Sequence, residues 1–178
     1  MQFNILHDCI RSIIYFRHLS SIEEKSTAQI FMKDILSDHV IQSWCKIFGN
    51  NGEDTHWKKI AEAEGVGDLS EPFSKESILR CTGMNDQEWS EYHSSMQTAR
   101  NEFFSHFDMD SMILNYPNLD AALSSVVAYR EWLSDLLDSV AKAKINDGTV
   151  IVNKAPLIND LLRSFNEEAE EGFNGRML

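Results

Sequence analysis

A basic side chain, an amide and an imidazole lie close together in the second half of the chain. Arg100 is followed directly by Asn101, and His106 comes within two helical turns of both. A guanidinium can donate two parallel hydrogen bonds to a phosphate. An imidazole, with an ordinary pKa of about 6.5, can take up and release a proton at neutral pH. The three groups could therefore bind a phosphate and move a proton without a metal ion.

Cleavage of RNA is the reaction that suits these groups. The ribose 2′-oxygen attacks the adjacent phosphorus once a base has removed its proton, which leaves a 2′,3′-cyclic phosphate. We expect His106 to be the general acid or base, with Glu102 favouring its protonated form. We expect Arg100 to bind the phosphate and stabilise its growing negative charge. Asn101 would support it by orienting the guanidinium or the phosphate.

The helix that carries these residues is predicted to begin at Asn85, with Glu88 completing a capping box. Its apolar stripe consists of Trp89, Tyr92, Met96, Ala99, Phe103 and Phe107. At about 100° per residue, Arg100 and His106 fall on opposite shoulders of that stripe, roughly 120° apart. On a straight helix they would not converge on one small group. We therefore expect the helix to end or bend near His106, or a second copy of the chain to complete the site across a two-fold axis.

Helical periodicity dominates the rest of the chain and predicts an all-α protein. A second helix is expected from about Thr27 to Phe48, and a long heptad-patterned helix from about Pro117 to Ile145. We predict that residues 1–146 form a bundle of up-down antiparallel helices. Residues 147–178 would be a C-terminal extension, with a short helix from Pro156 and a mobile acidic tail.

Composition limits the partners and cofactors. With 16 Lys and Arg against 28 Asp and Glu, the net charge is −12. Broad nucleic-acid affinity is therefore not expected, and RNA would be held locally or with the help of a basic partner protein. The histidines and the three cysteines have no metal-ligand spacing, so we expect reduced thiols, no metal and no cofactor. No apolar run approaches the roughly 18 residues that span a membrane, and a cytoplasmic location is expected.

The run from Arg100 and Asn101 to His106 resembles the motif of the HEPN superfamily (higher eukaryotes and prokaryotes nucleotide-binding). The segment from Asp54 to Trp57 is also similar to HEPN proteins of the abortive-infection type. The resemblance implies a helical bundle that forms a homodimer with a composite active site. It further implies metal-independent endoribonuclease activity in a toxin–antitoxin or anti-phage defence system, with an antitoxin as a partner.

Structural alternatives accompany each of these interpretations. Arg100 could form a surface salt bridge, and His106 could simply stabilise a helix end. His56 and Trp57 are interpreted as a partly buried structural pair. For the whole chain, the alternative function is a non-catalytic HEPN-like helical dimer that serves as an interaction or nucleotide-binding module.

Overall fold

Every regular element of the computed structural model is helical in the part it describes, which is residues 1–105, 117–145 and 156–174 (backbone only for 102–105, 144–145 and 174). The helices are α1 (Gln2–Ser21), α2 (Thr27–Trp44), α3 (Lys58–Ala61), α4 (Val66–Leu69), α5 (Lys75–Thr82), α6 (Asp86–Ser105), α7 (Leu119–Ile145) and α8 (Ile158–Asn174). A π-helical turn, Cys45–Gly49, continues α2. The all-α prediction is confirmed for these ranges.

Helix α1 lies at the centre of the packing and contacts α2, α7 and α8. Its side chains Leu6, Ile10 and Ile13 are completely buried, as expected for a helix with neighbours on several sides. Helix α2 begins with a capping box, in which the Ser26 and Gln29 side chains each bond to the other's backbone N–H.

An aromatic cluster joins the end of α2 to α6 and α7. Trp44 is fully buried, and its ring centroid lies 5.3 Å from that of Phe48 and 5.7 Å from those of Trp89 and Tyr92. Its indole N–H donates to the Ser125 hydroxyl on α7 at 3.0 Å, so its polar atom is satisfied inside the core. This cluster fixes the position of the π-helical turn relative to α6.

Helix α6 begins as the sequence predicted. The Asn85 N–H donates to Glu88 Oε2 at 2.8 Å, and the Glu88 N–H donates to Asn85 Oδ1 at 3.0 Å. Of the predicted stripe, Trp89, Tyr92 and Met96 are buried and Ala99 is half-buried. The side chains of Phe103 and Phe107 lie outside the described residues.

Helix α8 is longer than the sequence analysis expected. It extends to Asn174 and includes the acidic run from Glu167 to Glu171. Phe165 and Ala169 are buried in the same core as the residues of α1 and α2. The Tyr15 hydroxyl on α1 also donates to Glu168 at 2.8 Å. None of the helices described is both long and apolar enough to cross a membrane.

Candidate functional site

The carbonyl groups of the π-helical turn have no intrahelical partners beyond its end, and the loop that follows satisfies two of them. The Trp57 N–H donates to the Ile47 carbonyl and the Thr55 hydroxyl to the Lys46 carbonyl, both at 2.9 Å. The loop thus folds back along the turn and places His56 beside it. This arrangement gives the end of α2 a fixed shape.

Two side chains of α6 satisfy the last carbonyls. His93 Nε2 lies 2.7 Å from the Phe48 oxygen and 3.0 Å from the Gly49 oxygen. Gln97 Nε2 donates to the same Gly49 oxygen at 3.1 Å. Because carbonyl oxygens only accept hydrogen bonds, His93 must carry a proton on Nε2. His93 and Gln97 therefore hold α6 against the end of the turn.

Arg100 lies one helical turn further along the same side of α6. Its side chain is half-buried, and its Nη1 is 3.9 Å from the position that a Cβ would take on Gly49. That Cβ would also be 3.2 Å from the Cβ of Cys45 in the same turn, so glycine at this position avoids a tight contact within the π-helical turn. Arg100 Nε and Nη2 each donate to Asn101 Oδ1 at 3.4 Å, which are long hydrogen bonds.

The guanidinium of Arg100 has no carboxylate within 4.0 Å among the residues the structure describes. A guanidinium that is partly withdrawn from water gains from a nearby negative charge, and this chain has far more carboxylates than cations. The negative end of the π-helical turn offers Arg100 partial compensation. An incoming anion would supply the rest of the negative charge needed beside the guanidinium, so the arrangement suits phosphate binding.

Cys45 lies next to Arg100 but is not suited to act as a nucleophile. Burial raises the pKa of its thiol to about 11, although the positive charge of Arg100 opposes the shift. The thiol donates to the Met96 carbonyl at 3.6 Å. It therefore remains protonated at neutral pH, and its role is in packing.

His56 is buried beside the same turn and stays neutral. Burial lowers its pKa to about 4, and the nearby charges of Lys58 and His93 act in the same direction. Its Nδ1 accepts the Lys58 N–H at 3.3 Å, and its ring lies 5.7 Å from that of Trp57. A histidine that is neutral at pH 7 and packed in this way is structural, as the sequence analysis interpreted it.

The predicted site residues can be placed only in part. Arg100 and Asn101 are in contact at the surface end of α6, and Arg100 lies on the shoulder of the buried stripe where the helical wheel put it. His106 and the side chain of Glu102 lie outside the described residues. The salt-bridge alternative for Arg100 has no partner among the carboxylate side chains that the structure describes, which do not include that of Glu102.

Sequence reasoning missed His93 and Gln97. Metal-ligand spacing gives His93 no role, yet it lies seven residues before Arg100 and therefore on the same side of α6. Gln97 lies between them at a spacing that continues the row. The regular spacing of His93, Gln97 and Arg100 on one side of α6 could have indicated these residues. The carbonyl groups that His93 and Gln97 bind could not be found from sequence, because no sequence motif marks the π-helical turn.

Among the side chains that the structure describes, no group of three or more His, Cys, Asp or Glu is arranged to hold a metal ion. Comparison of the chain with protein-family models, with curated proteins and with solved structures finds no match.

Proposed function

We propose that this protein is a metal-independent endoribonuclease of the HEPN type, acting in a toxin–antitoxin or anti-phage defence system. Arg100 binds the scissile phosphate and stabilises the negative charge that grows on it in the transition state. His106 is the general acid and base. Asn101 supports Arg100 through its Oδ1. As the 2′-oxygen bonds to phosphorus, the bond from phosphorus to the 5′-oxygen breaks and the general acid protonates that oxygen, so the products are a 2′,3′-cyclic phosphate and a 5′-hydroxyl.

The placement of Arg100 is the observation that supports this proposal most directly. The guanidinium is half-buried, in contact with Asn101 and without a carboxylate partner in the described ranges. It lies against a backbone turn that the aromatic cluster and the row from His93 to Gln97 hold in place. A positioned cation needs little reorganisation when the phosphate binds, which is what transition-state stabilisation requires.

The charge of the chain favours RNA binding at one local site over binding along a broad surface. With a net charge of −12, the protein repels a long polyanion at distance. Arg100 can still hold one phosphate at close range, because a half-buried pair is screened less than an exposed one. We expect weak binding to RNA in general and cleavage where a loop or a single strand reaches α6.

We further propose that two copies of the chain share the active site. On an unbent helix, Arg100 and His106 would point about 120° apart and would not meet on one phosphate. A two-fold dimer that brings two α6 helices together would let Arg100 of one copy act with His106 of the other.

The test is cleavage of a fluorogenic RNA by the purified protein in excess EDTA. We expect Arg100→Ala to lower the rate about 100-fold or more and His106→Ala by a similar or larger factor. Asn101→Ala should have a smaller effect. Arg80→Ala is the matched control, because Arg80 is an exposed arginine on α5 with no carboxylate among the described side chains within 4.0 Å. It should cleave like the wild type.

Co-expression of the Arg100→Ala and His106→Ala chains tests whether the site is shared. If each site takes Arg100 from one copy and His106 from the other, half of the dimers are mixed and each has one intact site. Activity should then return to about a quarter of the wild-type level. A site formed within one chain gives no recovery, which contradicts the shared site but not the nuclease.

Cleavage that is equal in the wild type and both variants, or absent from all of them, would contradict the nuclease. The alternative would then stand, in which the chain is a non-catalytic helical dimer that binds a partner or a nucleotide. Light scattering and a thermal shift with nucleotides would separate those two roles.

A further inference from the structure

The N-terminal half of α2 exposes a set of large apolar side chains. Ile30 is 48% exposed, Phe31 63%, Met32 42% and Ile35 44%. The other large hydrophobic residues that are exposed in the described ranges lie singly on separate segments: Met1, Leu69, Leu137 and Leu157. Single exposed apolar residues are ordinary, but four within about one and a half turns of one helix form a patch of the kind that marks a binding surface. We call Ile30, Phe31, Met32 and Ile35 the α2 patch.

The patch is exposed because α1 covers only the opposite side of α2. Ser37 and Val40 are completely buried, and Lys33 Nζ reaches back over the Phe16 ring of α1 at 5.6 Å. On a helical wheel Lys33 points about 160° away from Phe31. The only cation in this half of α2 is therefore directed away from Phe31.

Two acidic side chains lie beside the α2 patch, on the same side of the helix as Phe31. Asp38 is about 20° from Phe31 on the helical wheel, and Asp34 about 60°. Neither carboxylate has a Lys, Arg or His nitrogen within 4.0 Å in the ranges that the structure describes. Burial, helped by the charge of Asp34, raises the pKa of Asp38 to about 6. A cation brought next to these two groups would relieve an unfavourable pair of like charges.

From the α2 patch with Asp34 and Asp38 we infer that this side of α2 binds a basic amphipathic helix of another protein. Apolar side chains of the partner cover Phe31 and Ile35, and its Lys or Arg residues pair with the two carboxylates. The segment from Thr27 to Asp38 is about 18 Å long, enough for three turns of a partner helix. This helix-in-groove mode of recognition uses anchors spaced three or four residues apart.

Charge disfavours two other occupants. A second copy would bring another chain of net charge −12 against the two aspartates. The segment 106–116 of the same chain contains Asp108 and Asp110 and no Lys or Arg. The patch is also about 25 Å along α2 from Gly49, where Arg100 lies, so a dimer formed here would not unite two Arg100 side chains. The inference is thus independent of the proposed nuclease.

The test uses a fluorescent 18-residue helical peptide of Leu and Lys in amphipathic order, and a second peptide with Glu in place of Lys. Fluorescence anisotropy should show that the full-length protein binds the Leu/Lys peptide and not the Leu/Glu peptide. Phe31→Ser should weaken binding about tenfold or more, as for a central anchor residue. The double variant Asp34→Asn with Asp38→Asn should weaken it several-fold.

Leu137→Ser and Asp135→Asn are the matched controls, because both positions are exposed on α7. Their peptide affinities should stay within about twofold of the wild type. Equal binding of both peptides, or equal loss in patch and control variants, would overturn the inference. So would a dimer in light scattering that Phe31→Ser dissociates, since a second copy would then occupy the patch. If Phe31→Ser lowers the melting temperature and the Leu/Lys peptide does not bind, then another part of the same chain covers Phe31. That result would also overturn the inference.

Discussion

The two ends of α2 have similar side chains and opposite surroundings. Near the C-terminal end, Trp44 is completely buried among aromatic rings from α6 and donates a hydrogen bond to α7. About three and a half turns earlier, Phe31 is 63% exposed. At the C-terminal end α2 has α6 and α7 as neighbours as well as α1, whereas the N-terminal half has only the α1 side covered in the described ranges. The same helix is therefore both part of the core and a candidate binding surface.

This contrast separates the two proposals physically. The buried end of α2 continues into the π-helical turn, whose carbonyls are bonded to His93 and Gln97, and this fixes the surroundings of Arg100. The exposed end has no such role in positioning the site. Changes at the first end should affect stability and the site, and changes at the second should mainly affect partner binding.

Substitution of the two aromatic residues gives the largest expected contrast. Trp44→Ala leaves a cavity in the aromatic cluster and removes the hydrogen bond to Ser125, and should lower the free energy of unfolding by about 3–5 kcal/mol. Phe31→Ala removes mainly exposed surface and should change it by about 0.5 kcal/mol or less. Urea denaturation followed by circular dichroism measures both. A similar loss for the two variants would show that Phe31 is covered in solution.

The pH dependence of stability should report on His56 at the buried end. Burial holds its pKa at about 4, below the ordinary value of 6.5, so the unfolded chain binds the proton more readily. The contribution of neutral His56 to the free energy of unfolding is complete above pH 6.5 and is lost as the pH falls towards 4. Between pH 7.5 and 5 the loss should be about 1–2 kcal/mol. His7, whose pKa burial also lowers, adds a loss of the same sign.

The variant His56→Gln isolates that contribution, because glutamine does not titrate. Its free energy of unfolding should fall less between pH 7.5 and 5 than that of the wild type. The control is His39→Gln, which changes an exposed histidine on α2. An unchanged pH slope in His56→Gln would show that His56 is not held neutral by burial.

The aromatic and capping patterns predicted much of the fold, but not how α2 is covered. Asn85 and Glu88 predicted the start of α6, and the spacing of Trp89, Tyr92 and Met96 predicted its buried side. The capping box and the apolar spacing each involve residues close together in the chain, so they can be recognised from the sequence alone. Along α2, by contrast, the apolar residues are spread around the helix, and only the arrangement of α6 and α7 decides which end is buried.

The length of α8 and the role of His93 also depend on contacts with other parts of the chain. The short helix predicted from Pro156 extends to Asn174, where Phe165, Ala169 and Phe173 recur every four residues and pack in or against the core. His93 was missed because its partners are the backbone oxygens of Phe48 and Gly49, forty-odd residues away. Only the π-helical turn brings them together, and no residue type specifies it.

Substitution of His93 should connect the stability of the turn to the site. His93→Ala leaves the Phe48 carbonyl without its donor, which should cost about 1–2 kcal/mol of unfolding free energy. His93→Gln retains a donor and should recover part of that loss. Ser94→Ala, an exposed neighbour on α6, is the control and should be nearly neutral. If Gln and Ala are equally destabilising, the hydrogen bonds contribute little and the contact of His93 with the Trp44 ring accounts for the loss.

The smallest expected effect lies at the exposed end, at Asp38, and it has the opposite sign. Because burial and Asp34 raise the pKa of this carboxyl to about 6, the folded state binds its proton more tightly than the unfolded state does. Its ionisation therefore lowers stability as the pH rises from about 4 to 6. Asp38→Asn removes that cost and should stabilise the protein at pH 7 by under about 1 kcal/mol, since solvent screens a half-exposed charge. The gain should vanish below pH 4, where the wild-type carboxyl is neutral in both states.

A basic partner bound to the α2 patch should reduce this gain in stability at pH 7, because it stabilises the ionised Asp38 carboxylate of the wild type. Urea denaturation of both proteins with and without the Leu/Lys peptide therefore tests whether Asp38 lies within the binding surface.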